Sequence, residues 1–213
     1  MTVGAQDEVR YGRDTLEFAR LVNLSDAVFA IAMTLLVLGL ETPVVDADRL
    51  GAELVGAAPQ LAAFLLGFVL VANIWWQHHK LFGRLAYVDR GLIAIDLAVL
   101  AAIALVPFPT GVLGRHPTER AAVVPFVVVF VLLLTLFLAL VVQAQRQGAW
   151  SRPMPAALFT WVVAGFVVTL AMMGISALLA VWWPVVALAV LAGSNVPEVF
   201  LARRAPPGYR NWA

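Results

Sequence analysis

The sequence predicts an all-α, polytopic membrane protein with six transmembrane helices. Three observations predict it. Hydrophobic residues make up 62% of the chain and charged residues only 13%, whereas soluble domains average roughly 45–50% apolar and 25% charged. A soluble domain still needs a polar exterior, a requirement that lipid removes. Six separate runs reach the roughly 20 apolar residues that crossing a bilayer takes. The basic residues alternate between connecting segments in the way that sets orientation.

The runs are Leu21–Leu40, Leu54–Trp76, Gly91–Val112, Ala121–Gln143, Ala156–Leu178 and Ala180–Leu201. Residues 1–20 mix acids with bases ahead of a run long enough to span, so they read as a cytoplasmic segment rather than a signal peptide. Residues 21–201 form the transmembrane domain and 202–213 a cytoplasmic tail. With the N-terminus inside, the inner segments hold Arg10, Arg13, Arg20, Lys80, Arg84, Arg90, Arg146, Arg152, Arg203, Arg204 and Arg210. The outer segments hold only Arg49, Arg115 and Arg120, so eleven bases face three. A missed span would scramble that alternation. Both termini are therefore expected in the cytoplasm and the chain in the cell (plasma) membrane. Trp75, Trp76, Trp150, Trp182 and Trp183 fall at expected span ends, where an interfacial belt forms.

Composition also excludes functions. There are no cysteines, which removes disulfides, thiol catalysis, thiolate metal sites and palmitoylation. A net charge of +1 offers no bulk attraction to nucleic acid. No phosphate-binding loop, Ser/His/Asp set or metalloprotease motif is present, so the chain is not expected to be an enzyme or to need a cofactor. Neither a carbonyl-lined filter motif nor the arginine ladder of a voltage sensor appears.

Polar groups inside spans are functional candidates, because lipid penalises them. Asp26 lies early in helix one with Asn23 and Ser25, Asp96 lies in helix three, and His78 and His79 end helix two. One reading has Ser25 or Asp26 capping a late-starting helix. The other is a polar network joining helix one to helices two and three through Arg20, Asp26, one histidine and Asp96, since each charge needs a partner. Adjacent histidines point about 100° apart on a helix, so they cannot chelate one metal together. Ala27, Ile31, Thr34 and Leu38 share one face of helix one; such a stripe is usually packing. Pro107-Phe108-Pro109-Thr110 is expected to kink or stop helix three. Helices four to six carry almost no charge and read as a lipid-facing shell.

The run Arg20-xxx-Leu24-Ser25-Asp26, followed by Ala-Val-Phe-Ala-Ile-Ala-Met-Thr-Leu-Leu-Val-Leu, resembles the first helix of the transmembrane protein 175 family of endosomal/lysosomal potassium channels and their prokaryotic relatives. Leu24 stands where that family has phenylalanine, an exchange of one large apolar side chain for another. Trp76-Gln-His78-His79-Lys-Leu-Phe82, Asp96 and Pro107–Thr110 resemble its second and third helices. The resemblance covers residues 20–112 most closely. It implies a homotetramer with helix one lining a central pore, and a potassium-permeable, weakly to moderately selective cation channel. It implies a constriction of large aliphatic side chains five residues after the motif aspartate, which is Ile31, with Thr34 and Leu38 continuing the pore face. Potassium or another monovalent cation is then the permeant species rather than a cofactor. An aliphatic collar gates by dewetting and supplies no carbonyl cage. Arg20, Ser25, Asp26, the histidines and Asp96 then support the pore helix. Competing readings are a proton-coupled transporter or proton leak using Asp26, Asp96 and a histidine, and a membrane scaffold without transport.

Overall fold

The computed structural model describes residues 9–44 and 46–193. A short strand, β1 (Arg10–Gly12), leads into α1 (Leu16–Leu35). Thr15 starts α1, with extended backbone and a hydroxyl that accepts the Phe18 N–H at 3.3 Å. The helix thus begins ahead of the expected span, and neither Ser25 nor Asp26 caps it. It continues as a 3-10 turn, Leu36–Gly39, which carries Leu38. Then come α2 (Leu50–Gly56), α3 (Ala58–Phe82), β2 (Tyr87–Asp89), α4 (Arg90–Leu105), α5 (Pro107–Arg115), α6 (Arg120–Gln147), α7 (Ala156–Leu179) and α8 (Pro184–Ala192).

Five helices among the described residues are long and apolar enough to cross a membrane: Leu16–Gly39, Ala58–Phe82, Arg90–Arg115, Arg120–Gln147 and Ala156–Leu179. The protein is an all-α polytopic membrane protein. The sixth expected span, Ala180–Leu201, is represented by α8, and its residues 194–201 lie outside the described residues, as does the tail 202–213.

Helix three is divided where the prolines fall. Pro107 and Pro109 have no N–H to donate back along the helix. The Val106 N–H turns to the Ile103 carbonyl at 3.1 Å, and α5 restarts from Pro107. Thr110 Oγ1 then donates to the Val106 carbonyl at 2.8 Å, beside the Thr110 backbone N–H that the same carbonyl accepts at 3.2 Å.

At one end of the bundle, here the strand end, β1 pairs antiparallel with β2, Arg10 opposite Asp89 and Gly12 opposite Tyr87. The link before α7 joins them: Ala86 N–H donates to Ala149 O at 2.7 Å and Ser151 N–H to Arg84 O at 2.8 Å. Gly148 makes this geometry possible by ending α6 at φ 65°, a backbone that side chains with a Cβ disfavour. Asp89 caps α4 by accepting the Leu92 N–H at 2.7 Å. The N-terminal segment is therefore built into the bundle from Arg10 onward. At the opposite end, glycines allow close approach: a Cβ on Gly39 would meet Gly111 Cα at 3.3 Å, and one on Gly114 would meet Gln60 Cα at 3.1 Å. An exposed ion pair, Arg115 to Glu41 at 2.8 Å, lies beside them.

The expected lipid-facing shell needs correction at helix four, whereas helix five, with 17% of its apolar stretch covered, is the least buried span. Helix four, here α6, is the most buried span, with 44% of its apolar stretch covered against 28% for the first helix. Phe126, Phe130, Leu133 and Leu140 are fully enclosed. Absence of charge marked a core helix as readily as a lipid-facing one, because hydrocarbon and protein interior accept the same side chains. The tryptophans divide too. Trp76, Trp182 and Trp183 are exposed, whereas Trp150 turns inward and donates to Gln145 Oε1 at 2.7 Å.

Candidate functional site

α1 has two unlike faces. Leu21, Ser25, Phe29, Ala32 and Leu36 are buried, at the spacing of three and four that keeps residues on one side of a helix. The other side carries Asn23, Ala27, Ile31, Thr34 and Leu38, all exposed in the single chain. Ile31 is 57% exposed and Leu38 73%. Thr34 Oγ1 donates to the Ile31 carbonyl at 2.8 Å, so its hydroxyl proton is committed to the helix and its lone pairs face outward. Beyond the Asn23 amide the face is thus an apolar stripe interrupted by one hydroxyl acceptor.

Three residues hold the opposite face. Ser25 Oγ bonds both the Leu21 carbonyl at 3.0 Å and Asp96 Oδ2 at 2.9 Å. The second Asp96 oxygen, Oδ1, lies 2.7 Å from His78 Nε2. The one Ser25 hydroxyl proton is shared between the Leu21 carbonyl and Asp96, and the second Asp96 oxygen is paired with the imidazole. Ser25 and Asp96 are fully buried and His78 nearly so. Burial without partners would be expensive for each; together they fill both carboxylate oxygens. Aromatic rings enclose the imidazole: Phe82 stacks at 4.3 Å between centroids, and Phe29 and Phe137 approach at 5.4 and 6.4 Å.

Asp26 is outside this cluster. Its Oδ1 accepts the indole N–H of Trp75 at 2.9 Å, a second tie from α1 to α3. The expected single network therefore separates into two, Ser25–Asp96–His78 and Asp26–Trp75. The reason is rotational: Ser25 and Asp26 are adjacent and diverge by about 100°. The same rule separates the histidines. His78 points into the bundle, and His79 is exposed, stacked against Trp76 at 6.0 Å. Arg20 is exposed, and no ion pair joins it to Asp26 among the described residues.

The Pro107–Thr110 segment lies away from the polar cluster and seats α5 on α3. Pro109 and Thr110 are buried there, Pro107 is half-buried, and Phe108 is exposed. A Cβ on Gly67 would meet Thr110 at 3.1 Å. Sequence reasoning missed Trp75 as the partner of Asp26; it read that residue only as belt. A usable signal was present, since an indole N–H within a span needs an acceptor. Among the described residues no group of three or more His, Asp or Glu is gathered to hold a metal ion.

Comparison with known proteins follows the same segment of chain. The family described as endosomal/lysosomal potassium channel TMEM175 matches residues 20–107. A potassium channel of Streptomyces collinus is 38% identical over 107 residues, 50% of this chain and 52% of that one. A potassium channel of Chamaesiphon minutus is 33% identical over 127 residues, 57% of this chain and 63% of that one. The chain thus spans between half and two thirds of the length of these relatives. Among solved structures, a lysosomal potassium-selective channel TMEM175 homolog from Chamaesiphon minutus has a similar fold, with a TM-score of 0.73 and 24% identity over 89% of this chain and 98% of that one.

Proposed function

We propose that the chain is a member of the TMEM175 family, whose model matches residues 20–107, and on that premise that it is a potassium-permeable cation channel. Four copies surround one pore, with α1 innermost, and the Ile31 side chains form its constriction. Residues 21–201 make up the channel domain, and both termini lie in the cytoplasm beneath the plasma membrane. The single observation that carries this reading is the division of α1. The face holding Ile31, Thr34 and Leu38 is uncovered in the single chain, while the reverse face is locked to α3 and α4 through Asp26 and Ser25. A pore helix needs such a division, one side fixed in register and the other offered to copies of itself.

A collar of four Ile31 side chains is narrow and dry. It excludes water and ions when closed, and a modest widening admits a hydrated or partly dehydrated cation. Without a carbonyl cage selectivity is weak to moderate. Thr34, one turn farther along, presents hydroxyl oxygens to an ion leaving the collar. Leu38 continues the wall on the 3-10 turn. The Ser25–Asp96–His78 cluster and the Asp26–Trp75 bond are supports, because both lie on the side of α1 turned from the pore. Arg20, on the exposed face at the start of the motif, lines the cytoplasmic approach. Potassium flux into liposomes tests the collar: Ile31→Asn raises conductance or blurs potassium over sodium selectivity, and an unchanged flux and selectivity sinks the assignment.

A second reading rests on the His78–Asp96 pair. A buried imidazole hydrogen-bonded to a carboxylate is also a proton-relay arrangement. A proton pathway or proton-coupled transporter through it predicts reversal potentials that follow the pH gradient, or saturable uptake of a solute. Ohmic current that follows the potassium gradient favours the pore.

A further inference from the structure

The two ends of the bundle differ in charge. At the strand end α1, α4 and α7 begin and α3 and α6 stop. Arg10, Arg13, Arg90, Arg146 and Arg152 are exposed there, and Arg84 is half-buried. Among the described residues the exposed acids at this end are Asp14 and Glu17, while Asp89 is buried with Oδ1 given to the Leu92 N–H. At the opposite end Arg49, Arg115 and Arg120 stand among Glu41, Asp46, Asp48, Glu53 and Glu119. Arg115 is paired with Glu41, whereas among the described residues no ion pair neutralises Arg13, Arg90, Arg146 or Arg152.

Tertiary contacts gather these arginines from separate segments. The Ser151 N–H bonds the Arg84 carbonyl at 2.8 Å, which sets Arg152 close to Arg84. The Arg13 N–H bonds the Ala86 carbonyl at 3.0 Å, so Arg13 flanks the same segment on its other edge. Three stretches of backbone thus lie edge to edge and root these arginines on a platform about 10 Å wide, two strand spacings. A second group forms where α4 starts against the last turns of α6: a Cβ on Gly91 would meet Gln143 Nε2 at 2.8 Å. Arg90 precedes Gly91, and Arg146 is three residues beyond Gln143. Depth is fixed as well. Arg84 is two residues past the end of α3, Arg90 is the first residue of α4, and Arg146 is the last but one of α6. All three helices are membrane spans, so the arginines sit where the chain leaves the hydrocarbon, at the level of lipid headgroups. Trp76, 50% exposed with Lys80 Nζ 5.7 Å from its ring, belongs to the same boundary.

We propose that the strand end binds the headgroups of anionic phospholipids of the inner leaflet, with Arg84 and Arg152 at one position and Arg90 and Arg146 at another. Charge and depth together name the occupant. The guanidinium fork matches two oxygens of a phosphodiester, and a phospholipid presents that group at the depth where these arginines lie. A zwitterionic headgroup offers the same phosphate with an ammonium that neighbouring arginines repel, so net-negative lipid is preferred. The backbone bonds of the junction already hold Arg84 and Arg152 together, so binding orders little of the chain. The leaflet named rests on the cytoplasmic placement of the termini proposed above; binding at the strand end does not.

The test uses the full chain in phosphatidylcholine vesicles holding a trace of spin-labelled phosphatidylglycerol or spin-labelled phosphatidylcholine. The fraction of label immobilised by the protein gives the relative association of the two lipids. Phosphatidylglycerol is expected to be favoured, less so as salt is raised. Arg146→Gln with Arg152→Gln, both at exposed positions, should lower that preference at least about fivefold, the share of one basic residue near an anionic surface. Lysine at both positions should restore most of it. Arg49→Gln with Arg120→Gln, at the opposite end, should leave it unchanged. Equal immobilisation of the two lipids, or a preference that follows the Arg49 and Arg120 pair instead, overturns the site. Inorganic phosphate that abolishes the preference at an ionic strength where chloride does not would assign the arginines to a soluble anion and overturn the lipid. The measurement requires no current, so a non-conducting protein with the expected preference leaves the site standing while removing the channel.

Discussion

Asp96 shows how much rests on single groups. Its two oxygens are held by Ser25 and His78 in a buried position. Removing one partner of a buried hydrogen-bonded pair leaves the other's polar group unsatisfied, at about 1–3 kcal/mol. His78→Leu is therefore expected to unfold far more readily than wild type in a denaturant titration followed by tryptophan fluorescence. His79→Leu, at an exposed position beside it, should shift stability by no more than about 0.5 kcal/mol. Equal effects of the two substitutions would contradict the assignment of His78 to the cluster. Trp75 and Asp26 are a smaller case, one hydrogen bond near the membrane surface. Which histidine turns inward was not legible in the sequence, because two adjacent residues of one type carry no mark of helix rotation. That a charged group in helix three needed a partner was legible, because the price of an isolated charge in lipid does not depend on the fold.

At the scale of elements, close helix packing depends on missing side chains. α5 approaches α3 and the end of α1 at Gly114, Gly67 and Gly39. A Cβ on Gly114 would lie 3.1 Å from the backbone Cα of Gln60, which cannot swing aside. Gly114→Ala should therefore destabilise by about 1–3 kcal/mol, as overpacked interiors do. Gly165 in α7 has nothing within 4 Å of its missing Cβ. Gly165→Ala should be neutral or stabilising by up to about 1 kcal/mol, from helix propensity alone. Thermal melts of the two variants in one detergent make the comparison, and the signs should be opposite. The Pro107–Thr110 break was legible as an interruption. Its consequence, a second short helix seated on α3, was not, because proline states what the chain cannot do and leaves its next direction to packing.

At the scale of the whole molecule, the uncovered stripe on α1 determines what the chain can become. Ile31 and Leu38 point away from the bundle's own core. The absence of cysteine makes the assembly directly testable. In native membranes, Thr34→Cys should form a disulfide-linked dimer on mild oxidation, because the proposed four-fold packing would bring the same position of neighbouring copies together. Leu132→Cys, exposed on α6, should remain monomeric under the same treatment. No link at residue 34 alongside a link at residue 132 would place a different face at the centre. The α1 stripe was readable from spacing alone as a face, and its proposal as a pore face rests on the family resemblance, since packing stripes and pore stripes share one periodicity.

The sequence by itself determined that the chain is helical and crosses the membrane repeatedly, where most spans lie, and which polar residues are out of place there. Those properties are local: lipid tests each run of about 20 residues separately, and the charge of each loop is counted without reference to any other. The tertiary structure alone decided that α6 is core rather than shell, that Asp26 bonds Trp75 while Asp96 bonds Ser25 and His78, and that residues from Arg10 onward are tied into the strand end. Each of these depends on the rotation of one helix against another. That rotation is set by the sum of many side-chain contacts between segments far apart in the chain, and no single run of residues carries it.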